Sequence, residues 1–222
     1  MKFVHPEINK VFDTERGKIH CIVIENPSLF RRLLADLYAQ QEGLDGDSVI
    51  SIDNMPVTPS KYMEVLDRFA SFELNRKPLL SKMAAALEKQ AASSEYWERT
   101  GKLLLDISDY LNELAFEYPC DIIFPKLGVA GIIKAATPEL RSQGSTVCEK
   151  VLDYMELVRT FDREKLFLTV NMRAFVEAEE VGLFMQTVLS HGYHVIMLEN
   201  CDYAREKWEE RLIIDRDLCE ID

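Results

Sequence analysis

Much of the usual vocabulary of enzymes and membrane proteins is missing from this sequence. No apolar run approaches the roughly 20 residues that span a bilayer. The opening Met1-Lys2-Phe3-Val4-His5-Pro6 has no hydrophobic signal-peptide region, so a cytoplasmic location is expected. Neither G-x-x-x-x-G-K-[ST] nor G-x-G-x-x-G occurs. The backbone cradle that such loops give to phosphates is therefore absent, and no nucleotide cofactor is expected. There is no G-x-S-x-G and no acid pair in a recognisable catalytic setting, so the chain does not read as an enzyme. The five cysteines, Cys21, Cys120, Cys148, Cys201 and Cys219, are odd in number and contain no C-x-x-C. That pattern fits free thiols in a reducing compartment better than disulfides or a zinc site. An excess of positive charge is also lacking, with 26 Lys and Arg against 38 Asp and Glu. The net charge is −12, which argues against a generic nucleic-acid binder.

What is present is an α/β pattern interrupted by helix. Strands are expected over Phe3–Phe12, Ile19–Ile24, Ser48–Ile52, Leu166–Val170, Tyr193–Leu198 and Arg211–Asp215, from their compact apolar runs. Asn26-Pro27 reads as a cap with Pro at the first helical position, opening a helix that stops near Gly43. Thr146 and Glu177 open two further helices, the second stopped by Gly192. Strand–helix–strand units in both halves favour a mainly parallel sheet. The stretch between them, Lys61–Glu117, is helix-compatible almost throughout. Thr58-Pro59 caps a helix carrying Met63, Leu66, Phe69 and Ala70 inward. A helix over Pro78–Ala92 places Leu80, Met83, Ala84, Leu87 and Ala91 on one stripe, with Lys82 and Lys89 opposite. Another, capped by Ser93-Ser94, carries Trp97, Leu104, Ile107, Leu111 and Leu114. A short apolar helix follows over Leu127–Ala136. The expected organisation is an α/β head of residues 1–60 and 149–222 with an inserted, extended helical leg of residues 61–148.

Charge follows that division unevenly. Residues 61–116 hold eight basic and nine acidic side chains, whereas residues 199–222 hold four and nine. Arg76, Lys77, Lys82, Lys89, Arg99, Lys102, Lys126 and Lys134 are the candidate contacts to a phosphate backbone. An ordinary solvated face laced with i,i+4 pairs, such as Lys102 with Asp106, explains the same residues. Two further features carry weaker signals. Several strands end in polar residues (Glu25-Asn26, Asp53-Asn54, Asn171, Glu199-Asn200), where α/β proteins place ligands but where strands also simply meet solvent. His191 and His194 lie three apart, with no third ligand at a telling spacing. Two alternatives to DNA binding stay open: an α/β nucleotide-binding enzyme, from the polar strand ends, and a helical adaptor that binds only protein partners, from the acidic charge.

An ordered set of segments then resembles a known family. Val57-Thr58-Pro59-Ser60, Leu74-Asn75, Leu87-Glu88-Lys89-Gln90, Leu127-Gly128-Val129, Cys148-Glu149-Lys150-Val151 and Val195-Ile196-Met197-Leu198-Glu199 are similar, in order and spacing, to the type II-A CRISPR-associated accessory proteins of spacer acquisition. The resemblance implies a head like a nucleotide-hydrolase core without its phosphate loop, and extended helical legs. It implies homotetrameric rings that thread double-stranded DNA ends through a basic hole, with no catalytic activity. The CRISPR integrase complex and the RNA-guided nuclease of the same system would be partners. It also implies calcium, held by an acidic run after the long helix. Here only Glu117 and Asp121 stand at those positions as metal ligands, and calcium takes six to eight oxygens. Packing by Pro119, Ile123 and Phe124 is expected in its place.

Overall fold

The run from Ile19 to Ile24 is buried at every position, as a strand covered on both faces must be. The computed structural model describes residues 1–221 in two compact units, Met1–Glu73 with Ser142 onward, and Leu74–Arg141. The first unit contains, in chain order, β1 (Lys2–His5), β2 (Ile8–Asp13), β3 (Ile19–Ile24), α1 (Pro27–Gln41), β4 (Val49–Ile52), β5 (Met55–Val57), α2 (Pro59–Tyr62) and β6 (Met63–Leu66). The inserted unit holds α3 (Lys77–Ala91), α4 (Trp97–Ala115) and α5 (Val129–Ala135). The chain then returns through α6 (Val147–Phe161), β7 (Leu166–Val170), α7 (Ala178–His191), β8 (His194–Glu199), β9 (Glu209–Ile214) and β10 (Glu220–Ile221).

The main sheet has the order β10-β9-β3-β8-β7-β6. From β9 to β6 every pairing is parallel, and only β10 runs antiparallel. A second, antiparallel sheet has the order β2-β1-β4-β5. One apolar cluster joins the two sheets and α1. It contains Phe3, Phe12 and Ile50 from the small sheet, Ile22, Leu168 and Ile196 from the large one, and Leu33 and Leu37 from the helix. On the partner helices, α6 buries Val151, Tyr154, Met155 and Val158, and α7 buries Val181, Phe184, Met185 and Val188, each set recurring at helical spacing.

The local punctuation follows from side-chain chemistry. The Asn26 carboxamide accepts hydrogen bonds from Ser28 N and Leu29 N, satisfying two of the orphan donors at the start of α1. Thr146 and Glu149 form a reciprocal capping box on α6. Gly192 ends α7 in the left-handed region at φ 69°, where a glycine carries no Cβ penalty. Asp53 and Asn54 both take positive φ, the combination that a tight two-residue hairpin between β4 and β5 requires.

Several expectations are corrected. Phe3–Phe12 is not one strand but the hairpin β1–β2, in which Phe3 pairs with Phe12. The helix expected through Met63 and Leu66 is a single turn, α2, followed by β6, which pairs in parallel with β7 from Met63↔Leu166 to Leu66↔Thr169. Met63 and Leu66 fit a helical period locally, and the open edge of β7 overrides that preference. This moves the division as well. Residues 63–66 belong to the main sheet, and the inserted unit is residues 74–141 rather than 61–148. Ser93-Ser94 places no side chain on the start of α4, whose N-cap is Tyr96 without a side-chain hydrogen bond. The small antiparallel sheet was not expected.

Candidate nucleic-acid interface

All eight basic candidates lie in the inserted unit. Arg76 is the N-cap of α3 and Lys77 its first residue. Lys82 is half-buried in mid-helix, and Lys89 is exposed in the last turn. Arg99 and Lys102 are exposed on α4, Lys126 is exposed in the irregular segment before α5, and Lys134 is in the last turn of α5. The unit is closed at its ends by Asn75. Its amide donates to Leu140 O at 3.0 Å, and its carbonyl accepts from Leu140 N at 2.7 Å. Within the unit α3 packs against α5.

Helical geometry sorts these cations. Lys82 and Lys89 are seven residues apart, within about 20° of each other around α3 at 3.6 residues per turn. No acidic side chain of α3 shares their face, because Glu88, the one acid in the helix, lies roughly 100° away. On α4 the situation is reversed. Arg99 and Lys102 share their face with Asp106, Asp109 and Glu113, which recur at three- and four-residue steps. No ion pair joins Lys102 to Asp106 among the described residues. The unit carries nine basic and nine acidic residues, so it is neutral, and the net charge of −12 resides in the first unit.

The apolar faces are also redistributed. Leu79, outside the expected stripe, is buried with Met83, whereas Leu87 is exposed. A groove of about 720 Å³ runs between α3 and α5, floored by Leu80, Ala84, Ala130 and Ile133. Of the basic candidates only Lys134 lines it, beside Glu88 and Glu139. The 19 residues of α4 include no buried one. Leu103, Leu105, Tyr110 and Leu114 are more than half exposed.

Glu117 and Asp121 are exposed in the irregular stretch after α4. No group of three or more His, Cys, Asp or Glu residues could hold a metal ion among the described residues. Two carboxylates on a loose segment do not by themselves fit a calcium ion. Nor do Ile123 and Phe124 replace an ion by packing, since Ile123 is 76% exposed and Phe124 37%. His191 and His194 do not converge either. His191 Nδ1 lies 2.9 Å from Thr187 O, and His194 Nδ1 lies 2.8 Å from Thr14 Oγ1. The five cysteines are free, with Cys21 and Cys148 buried. No helix among the described residues is long and apolar enough to cross a membrane.

A charged cluster that sequence reading missed lies in the first unit, at the carboxyl end of β8. Glu199 is fully buried. Its Oε1 accepts from Arg173 N at 3.3 Å, and its Oε2 is buried without a partner. Burial pushes its carboxyl up to about 7, against the pull of Arg173. Neighbouring Glu209 is also buried. Burial alone would raise it, but hydrogen bonds from Arg211 and Glu206 N hold it below the usual range. Arg173 Nη1 meets Glu209 at 3.1 Å and Arg211 Nε meets it at 2.5 Å. The two arginines also donate to Ala204 O and Tyr203 O, pinning the β8–β9 connection. Strand-end polarity was the available signal; the pairing of Arg173 with Glu209 across 36 residues was not readable locally.

Three comparisons bear on this architecture. The model of the CRISPR-associated protein family Cas_Csn2 matches residues 38–218. The CRISPR-associated protein Csn2 of Streptococcus agalactiae is 20% identical over 179 residues, covering 80% of each chain. The crystal structure of Stu0660 of Streptococcus thermophilus superposes with a TM-score of 0.55 at 16% identity, covering 91% of this chain and 70% of that one, which supports a shared fold. With α/β and helical units arranged as described and the family match spanning both, the chain belongs to the Cas_Csn2 family of CRISPR-associated proteins.

Proposed function

We propose that this chain is a non-enzymatic CRISPR adaptation protein of the cytoplasm that assembles as a homotetrameric ring and binds double-stranded DNA ends without sequence preference during spacer acquisition. The observation that carries the reading is the separation of charge. The first unit holds the whole net −12, whereas the inserted unit is neutral and places Lys82 and Lys89 on one face of α3, away from Glu88. One such face is a weak phosphate ligand. Four of them, turned inward by symmetry, form a basic wall, because every ordered phosphate contact releases counterions. The acidic first unit repels the duplex and confines it to that wall. The exposed apolar residues of α4 supply surface for assembly. The integrase complex and the RNA-guided nuclease of the same system are the proposed recipients of the bound end. Calcium has no role in this scheme.

A gel-shift comparison of linear and covalently closed circular duplex of one sequence tests the reading. Linear DNA is retained and circular DNA is not, and retention falls steeply with salt. Equal retention of both forms would sink the threading. Lys82→Glu with Lys89→Glu weakens binding and lowers the salt slope by about one per lost phosphate contact on each chain, at unchanged native mass. Lys89→Glu alone provides the control, because Lys89 is exposed. A monomeric native mass would remove the ring.

A further inference from the structure

Two of the polar strand ends, Glu25 after β3 and Asn200 after β8, meet in one groove, because β3 and β8 are parallel neighbours. The groove has a volume of about 640 Å³, within the ordinary range for small-molecule sites. Its wall is one side of α1. Pro27, Phe30, Leu34 and Tyr38 recur along that helix over about 16 Å at 1.5 Å per residue. Arg31 and Arg216 complete the lining.

The polar groups are held in place yet left without partners. Asn26 Nδ2 donates to Arg216 O at 2.8 Å. The turn carrying Arg216 is fixed by Asp215, which accepts from Asp217 N and Cys219 N. Asn200 N donates to Asn171 Oδ1, and the Tyr38 hydroxyl donates to Asp67 at 2.6 Å, which fixes the ring in the wall. The side chains of Glu25, Arg31, Asn200 and Arg216 enter no hydrogen bond or ion pair among the described residues. Two guanidiniums, a carboxylate and a carboxamide therefore line an apolar-walled cleft at the carboxyl ends of parallel strands. That is the position at which open α/β sheets receive ligands.

We infer that this groove binds a nucleoside phosphate. Phe30, Leu34 and Tyr38 offer a flat apolar surface to a base. Glu25 and Asn200 accept from or donate to ribose hydroxyls, and Arg31 and Arg216 take the phosphate. Inorganic phosphate leaves the apolar wall unused, and an uncharged apolar ligand leaves two arginines unanswered. The site is built for binding without turnover. The amides of Ser28 and Leu29, which would face a phosphate at the start of α1, are already held by Asn26. The phosphate thus meets side chains rather than a backbone cradle. The absence of a glycine-rich loop excluded only the cradle.

Calorimetric titration of the full chain at low salt with EDTA, using AMP, ATP, adenosine and tripolyphosphate separately, tests the inference. AMP and ATP bind at one site per chain, and adenosine and tripolyphosphate bind at least about tenfold more weakly, since each offers half of the contacts. Arg31→Gln with Arg216→Gln weakens ATP by about tenfold or more without moving Tm, because both side chains are exposed. The Lys82→Glu, Lys89→Glu variant binds ATP as the wild type does, which separates this site from the DNA surface. Absence of AMP and ATP binding at millimolar concentration overturns the inference. So does tripolyphosphate binding as tightly as ATP, or an affinity unchanged in the arginine variant.

Discussion

β3 and α4 are both rich in apolar side chains, and their fates are opposite. Every residue of β3 is buried, and no residue of the longer α4 is. Charge divides in parallel, with net −12 in the unit that owns the buried strand and none in the unit that owns the exposed helix. The first unit thus uses its apolar surface on itself, as folding requires. The inserted unit leaves apolar side chains of α4 uncovered, Leu103, Tyr110 and Leu114 on one side of the helix, and clustered exposed apolar residues mark interaction surfaces. Stability should reside in one unit and association in the other, and that division can be tested.

The largest expected effect comes from the core. Leu37→Ala, at a fully buried position of α1 within the two-sheet cluster, should cost about 3 kcal/mol through lost transfer energy and a residual cavity. Leu105→Ala, at a position 66% exposed on α4, should stay within roughly 0.5 kcal/mol. Urea denaturation at low protein concentration measures both. A comparable loss at Leu105 would mean that α4 is covered within the chain or in a persistent oligomer, and the native mass would then say which.

How much of this was legible from sequence differs between the two units for the same reason. Strands buried on both faces announce themselves as apolar runs, and β3 and β7 match their expected limits while β8, expected over Tyr193–Leu198, runs one residue later, because no neighbour is needed to read them. β6 was misread because Met63 and Leu66 also fit a helix, and only the edge of β7, about 100 residues away in sequence, decides. In the inserted unit the helices were found, but their buried sides were not. Periodicity placed Leu87 inward, and the structure buries Leu79 instead. Amphipathicity identifies a face without saying whether anything covers it. The basic candidates, proposed as phosphate contacts, are exposed or half-buried cations. That Lys82 and Lys89 share their face with no acid of α3, while Arg99 and Lys102 share theirs with acids of α4, follows from helix geometry once the helix limits are known.

A smaller effect separates the units by pH. Glu199 sits near 7 in the folded chain against 4.5 for its ordinary value. The folded state therefore prefers its protonated form. The stability it contributes is fully present below about 4.5 and is lost as pH rises through about 7. The difference corresponds to at most roughly 3 kcal/mol. His194 in the same unit is lowered by burial, and its contribution is lost in the opposite direction, as pH falls below its ordinary value of 6.5. Comparing Glu199→Gln with the wild type isolates the glutamate. The variant should lack the loss of Tm between pH 5 and 7.5 that is due to Glu199. Parallel Tm profiles for the two proteins would show that Glu199 is ionised in the folded chain throughout.

The smallest effect expected is that of calcium, and it bears on what holds the inserted unit's free surface. Any ion that binds the folded chain alone must raise Tm with its concentration. Glu117 and Asp121 offer at most four carboxylate oxygens where calcium takes six to eight, and among the described residues no third acidic, histidine or cysteine side chain joins them in a cluster. Around them Phe116, Tyr118 and Ile123 are exposed, so in the proposed assembly apolar burial, rather than an ion, would drive association there. Apolar burial strengthens on warming from low temperature, whereas an ion-bridged contact is lost in EDTA. Native mass and Tm should therefore be the same in EDTA and in millimolar calcium. A mass that grew only with calcium would show that carboxylates of a second copy complete the ligand set, and that assembly rests on ions rather than on the apolar surface of α4.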